Sequence, residues 1–182
     1  MKIVHTLYFT LFVFALQAQQ KGIPNDAALN EAINKTFVVD SPDFPTNKSI
    51  KYKVVFDVAK SGKTIDDLNQ RLVTVMRFYN MHRQAGVPAG NLDISVIVHG
   101  DATKDILDSK TYRERYEVKH PNLSLIDQLV EKDINIYLCG QAAAGRNIKR
   151  EQMADGVQLA LSAMTVLVTL QRAGYAVINF NY

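Results

Sequence analysis

The sequence predicts a three-layer α/β/α domain built on a mainly parallel sheet of about five strands. Three observations predict it. From Ile50 onward, short apolar runs alternate with segments of helical periodicity. The runs are continuously apolar, not alternating, which is the pattern of strands covered on both faces. The chain has 182 residues, 47% of them hydrophobic, enough for one domain with a real core.

The domain is expected over residues 50–182. "YKVVFDVA" is the first strand. "SGKTIDDLNQRLVTVMRFYNMHRQAG" follows as a helix with Leu68, Leu72, Val75, Met76 and Tyr79 on one stripe. Its start is expected at Thr64, where Asp66 and Asp67 suit the positive end of a helix dipole, and Gly86 and Pro88 mark its end. "LDISVIVHG" is the second strand, and "DATKDILDS" a short helix. "KTYRERYEVKHPN" has no clean period. "LSLIDQLVEKD" is a helix presenting Leu125, Ile126, Leu129 and Val130. "INIYLCG" is the third strand, with "QAAAGRN" a turn or short helix after it. "GVQLALS" reads as a fourth strand, although residues 153–170 also fit one continuous helix. "AMTVLVTLQRAG" is a helix closed by Gly174, and "YAVINF" the last strand.

Two segments precede the domain. "MKIVHTLYFTLFVFALQA", residues 1–18, has Lys2, an apolar run from Leu7 to Leu16 and Ala18, the layout of a secretory signal peptide. The run is too short for a spanning helix, which needs about 20 apolar residues. The expectation is export to the periplasm or the outside, with no stable membrane anchor after cleavage. Residues 19–49 form a polar lead-in with Gly22, Pro24, Pro42 and Pro45, expected to pack over the domain edge.

Charge excludes one class of partner. With 21 basic and 18 acidic residues the formal net charge is +3, or 20 − 18 = +2 once Lys2 is removed. No basic face is evident, so no nucleic-acid partner is expected. Asn34-Lys-Thr, Asn47-Lys-Ser and Asn122-Leu-Ser are glycosylation triplets, meaningful only in a host that glycosylates exported proteins.

In open parallel sheets, sites form at the carboxyl ends of strands. Asp57 ends the first strand here, His99-Gly100-Asp101 the second and Cys139-Gly140 the third. Cys139 is the chain's single cysteine, so it forms no internal disulfide. It is either a small buried hydrophobe or a reactive thiol at a strand-to-helix turn, where amide groups favour a thiolate. Gly140 would let backbone approach closely, and Arg146 would add positive charge if the turn folds back. His99 reads as a base beside the thiol or as a histidine tied down at the sheet edge. His120 reads as solvated, and His82 as a complement to a helix C-terminus. One cysteine and scattered histidines give no metal site, and no cofactor is expected. "SGKT" has Asp57 where a phosphate loop needs its first glycine, and neither G-x-G-x-x-G after a strand nor G-x-S-x-G occurs.

"ISVIVHGDA", "LVEKDINIYLCGQAAAG" and "GVQLALSAMTVLVTLQRAGYAVI", in that order and spacing, resemble the DsrE/DsrF-like family, in particular its small exported members. The resemblance covers about residues 50–180. It implies a sulfur-relay fold assembling into homotrimers or hexamers. It also implies that Cys139 carries a persulfide received from a donor protein and passed to an acceptor, with His99 lining the same pocket. The expected function is thus an exported persulfide carrier, a possible sulfurtransferase. The alternative is a non-catalytic oligomeric module whose strand-end pocket, near His99, Gly100, Cys139 and Gly140, binds a small ligand of unknown identity. "TYRERYEVKHP", with Tyr112, Arg113, Arg115 and Tyr116, reads as either a subunit interface or a solvated loop.

Overall fold

The computed structural model describes residues 26–180. The signal-peptide reading of residues 1–18 lies outside the described residues. The sheet has five parallel strands: β1 (Tyr52–Val58), β2 (Leu92–Val98), β3 (Asn135–Cys139), β4 (Val157–Ala160) and β5 (Ala176–Asn179), in the order β4-β3-β2-β1-β5. β1 to β4 therefore step outward across the sheet, and the chain returns to lay β5 against β1. The fold is the expected three-layer α/β/α arrangement.

The helices are α1 (Ala27–Asn34), α2 (Gln70–Gln84), α3 (Ser109–Tyr116), α4 (Leu123–Glu131), α5 (Gly140–Gly145) and α6 (Ala163–Arg172). Seven residues after β2, Gly100–Ile106, form a 3-10 helix. The reading of residues 153–170 as one helix gives way to β4 and α6, divided by Ser162, whose hydroxyl accepts from the Thr165 amide as an N-cap.

Three local expectations fail for identifiable reasons. The long helix starts at Gln70, not Thr64. Thr64 and Asp67 close a turn of their own through a 2.9 Å bond from the Thr64 amide, and Asn69 is the true cap, accepting from the Arg71 amide. Residues 109–116 form a helix despite weak periodicity, because Asp108 caps it through the Thr111 amide. Tyr112 is fully buried with its hydroxyl on the Ile65 carbonyl, so it serves the core and not a subunit surface.

The two sheet faces are covered unequally. One face carries the main core, where Phe56, Val96, Leu138, Leu72, Met76 and Leu129 pack together, with α1 adding Leu29 and Ile33 against α2. The other has a small core of Val55, Ile97, Cys139, Ala163 and Val166 under α6, with Ala142 of α5 beside it. The exposed apolar surface on this side lies on the helix layer itself. The apolar side chains Leu161, Met164 and Val168, on α6 and the turn before it, are 71%, 73% and 57% exposed.

Candidate functional site

Register sets four chemistry-bearing residues on two adjacent levels of one sheet face, Asn179 with Asp57 and His99 with Cys139, and the His99–Asp57 bond joins the levels into one slanting row. Leu138 pairs with Val98, so Cys139 and His99 follow as neighbours one step further along β3 and β2. Val98 pairs with Val58, and Asp57 pairs with Asn179 on β5. Side chains alternate along a strand. Val98, Val58 and Leu138 enter the main core, so His99, Asp57 and Cys139 point to the α6 side, and Asn179 with them. The row Asn179–Asp57–His99–Cys139 thus crosses four strands at the carboxyl edge of the sheet.

At its centre is the hydrogen bond between His99 and Asp57. His99 Nε2 lies 2.7 Å from Asp57 Oδ1, and Asn179 Nδ2 donates to Asp57 Oδ2 at 2.9 Å. Asp57 is nearly buried, while the His99 side chain is 30% exposed. A carboxylate accepts, so Nε2 carries the ring proton and Nδ1 keeps a lone pair. The backbone seats the ring as well, since the His99 amide donates to the Val58 carbonyl at 3.0 Å.

Cys139 is buried, 6% exposed, among Val55, Ile97, Ala163 and Val166. Of the two readings of Cys139, its placement matches the small buried residue, and a solvent-reachable thiol is not found. The sulfur is covered because α6 begins directly above it, and Ala163, the first residue of that helix, belongs to the same cluster. Five clefts of ≈ 200 to ≈ 660 Å³ on the described surface are lined without Cys139. One of them, ≈ 200 Å³ between Tyr137 and Thr165, Val166, Thr169 and Leu170, opens two residues back along β3.

Both strand-end glycines have packing reasons. A Cβ on Gly140 would stand 2.5 Å from the Ala160 carbonyl oxygen and 3.1 Å from that of Leu161. Gly100 has φ +54°, and a Cβ there would stand 2.7 Å from the Ala59 carbonyl oxygen. Neither position tolerates a side chain. Arg146 does fold back, placing Nη2 3.7 Å from Asp101 Oδ1 across the mouth between the β2 and β3 ends.

The remaining polar features are structural. His120 is buried, not solvated: it stacks on Tyr112 at 4.1 Å, and its Nδ1 accepts from the Asn122 amide at 3.0 Å. Burial pushes its pKa down to about 4. Asp105, also buried, is held by Ser61, Asn69 and Asn122 at 2.7, 2.7 and 3.3 Å, and burial raises its pKa. This network ties the loop after β1 to the following 3-10 helix and to α4. Asn122 is fully buried, so its glycosylation triplet is closed in the folded chain. Among the described residues no group of three or more His, Cys, Asp or Glu could hold a metal ion, and no helix is long and apolar enough to cross a membrane.

Comparison with known proteins decides the family. The family model described as "DsrE/DsrF-like family" matches residues 51–180, which include the whole sheet and the whole row. The chain belongs to the DsrE/DsrF-like family. Two solved structures share the fold of this DsrE-type chain. The protein of unknown function MTH1491 from Methanobacterium thermoautotrophicum is 16% identical with a TM-score of 0.55, and the match covers 71% of this chain and 99% of that one. The ychN protein from E. coli is 18% identical with a TM-score of 0.54, covering the same 71% and 99%. No curated protein matches significantly. Residues 26–50, with α1, lie outside the family match. Asp57 was visible in sequence as a charge ending an apolar strand. Asn179 was missed, because its partner lies 122 residues away and nothing local marks it.

Proposed function

We propose that this DsrE-type protein is an exported, self-associating sulfur carrier in which Cys139 accepts a sulfane sulfur as a persulfide and passes it on. The observation that carries the reading is the placement of Cys139 and His99 as neighbours at the ends of adjacent strands, on one face of the sheet. The Cys139 thiol yields its proton to His99 Nδ1. The thiolate attacks the outer sulfur of a donor persulfide, a new S–S bond forms on Cys139, and the donor leaves as a thiolate with the electron pair of the broken bond. The proton then passes from His99 to the donor thiolate. No net oxidation or reduction occurs. Delivery to an acceptor thiol reverses the same steps.

Burial of Cys139 sets the working cycle. The α6 start and the Gly140 turn must move for a donor to reach the sulfur. In the closed state the same cover shields a bound persulfide from water and oxidants. The open apolar surface of α6 fits association with further copies, since contiguous exposed apolar area marks interaction sites. A trimer or hexamer is the assembly proposed.

The test is loading with inorganic polysulfide, removal of excess, and treatment with cyanide, which takes up sulfane sulfur as thiocyanate. One thiocyanate per chain is expected from the natural protein and none from Cys139→Ser. No release from the natural protein overturns the carrier reading. A second reading is favoured by the burial itself: a non-catalytic oligomer in which Cys139 is only a packing residue and a cleft elsewhere binds a small ligand. One wide cleft, ≈ 660 Å³ between α1, the loop after β1 and α4, is lined by Asp66, Asp67, Lys119 and Asp127 among others. On that reading Cys139→Ser keeps all binding.

A further inference from the structure

We infer that Asp57 and Asn179 are positioning residues for His99, and that the terminal strand β5 completes the site. The inference rests on the sulfur-carrier reading and goes beyond it by assigning residues that touch neither sulfur nor donor.

The geometry is a clamp with two jaws. Asp57 Oδ1 takes the His99 Nε2 proton at 2.7 Å, and Asp57 Oδ2 is held by the Asn179 side-chain amide at 2.9 Å. A carboxylate bonded at both oxygens cannot turn about its own axis. His99 is then held in the one tautomer that leaves Nδ1 able to accept a proton, which is what a base beside a thiol requires. Without Asp57 the Nε2–H form loses its fixed acceptor and keeps only the ring's own modest preference for it, and the Nδ1–H form cannot accept from Cys139 at that atom.

Asn179 arrives from an unlikely direction. β5 is a four-residue edge strand with only Ile178 half-buried, the other three being exposed. Its sheet partner is β1, where Asn179 pairs with Asp57 itself. The end of the strand is fastened by Arg71 Nε, which donates to the Phe180 carbonyl at 2.9 Å, and by Phe180 against Phe56 in the main core. A strand buried this little has a second reason to be pinned so carefully, and the Asp57 carboxylate supplies it. The charged and titratable groups around His99 are Asp57 from β1, Cys139 from β3, and Asp101 from its own loop. Asp101 is paired to Arg146 from the end of α5. Among the described residues only Asp57 hydrogen-bonds the ring.

The experiment uses the full-length protein labelled with ¹⁵N-histidine, as the natural chain and as Asp57→Asn, Asn179→Ala and His99→Gln. The last identifies the His99 signals. Tautomer is read by NMR at neutral pH, and polysulfide loading is followed across pH by thiocyanate release. The natural protein is expected to show His99 as the Nε2–H form. Asp57→Asn should shift it toward Nδ1–H, slow loading about tenfold or more, and move the pH profile. Asn179→Ala, at an exposed position, should keep the fold, loosen the tautomer preference and slow loading by a smaller factor. A dominant Nδ1–H form in the natural protein, or a tautomer unchanged in both variants, overturns the positioning role. So does normal loading with an unchanged pH profile in Asp57→Asn. If the tautomer shifts as stated while neither the natural chain nor any variant takes up sulfur, the positioning role stands and the carrier reading falls.

Discussion

His120 makes stability depend on pH in a way that one substitution can isolate. Its folded-state pKa is pushed from 6.5 down to about 4, chiefly by burial. Between those values the unfolded chain takes up a proton that the folded chain refuses. Stability is therefore fully present above about pH 6.5, declines as pH falls, and reaches its full loss near pH 4. At about 1.4 kcal/mol per pH unit, the gap amounts to about 3 kcal/mol. Asp105 works in the opposite sense: its raised folded-state pKa makes the folded chain bind the extra proton, so its contribution grows as pH falls. The natural protein shows the sum, and His120→Phe separates the two. Phenylalanine keeps a ring against Tyr112 but leaves the Asn122 amide without its 3.0 Å acceptor, which costs about 1–3 kcal/mol at neutral pH. Urea unfolding from pH 7.5 to pH 4 is the assay. The variant should start less stable and fall less steeply, so that the two curves converge toward pH 4. Parallel curves would refute the reasoning, because they would mean that His120 titrates alike in both states.

Three further outcomes are expected. Gly140→Ala should lose about 1–3 kcal/mol in thermal or denaturant unfolding, since its Cβ would stand 2.5 Å from a carbonyl oxygen and the β3 and β4 ends must part to admit it. Met164→Glu should leave monomer stability near normal, the side chain being 73% exposed, yet reduce the assembly measured by light scattering. An unchanged mass would remove α6 from the interface. Iodoacetamide should modify Cys139 slowly in the folded protein and quickly in guanidinium. Equal rates would contradict the burial on which the opening step rests.

The sheet was legible because its signal is local and strong. "YKVVFDVA", "LDISVIVHG" and "INIYLCG" each carry enough β-branched and apolar residues to declare a buried strand, and all three formed. Boundaries set by side-chain caps were harder. Thr64 with Asp66 and Asp67 looks like a helix start, but the true start at Gln70 is fixed by Asn69, whose own amide is held by Asn122 from 53 residues away. The same limit governed the site. Cys139, His99 and Asp57 stood out as chemistry at strand ends, whereas the cover over the thiol depends on where α6 lands after β4. His120 looked solvated beside Lys119 and Pro121, and only its stack on Tyr112 shows why it is buried. Asn179 carries no signal until β5 is known to return beside β1.

The most direct test of the account is intact-mass spectrometry of the full-length protein, isolated under non-reducing conditions. The account predicts a population heavier by one sulfur atom, mapped to Cys139 and removed by a reducing thiol. A single unmodified mass, persisting after exposure to polysulfide under conditions that open the α6 cover, would contradict it.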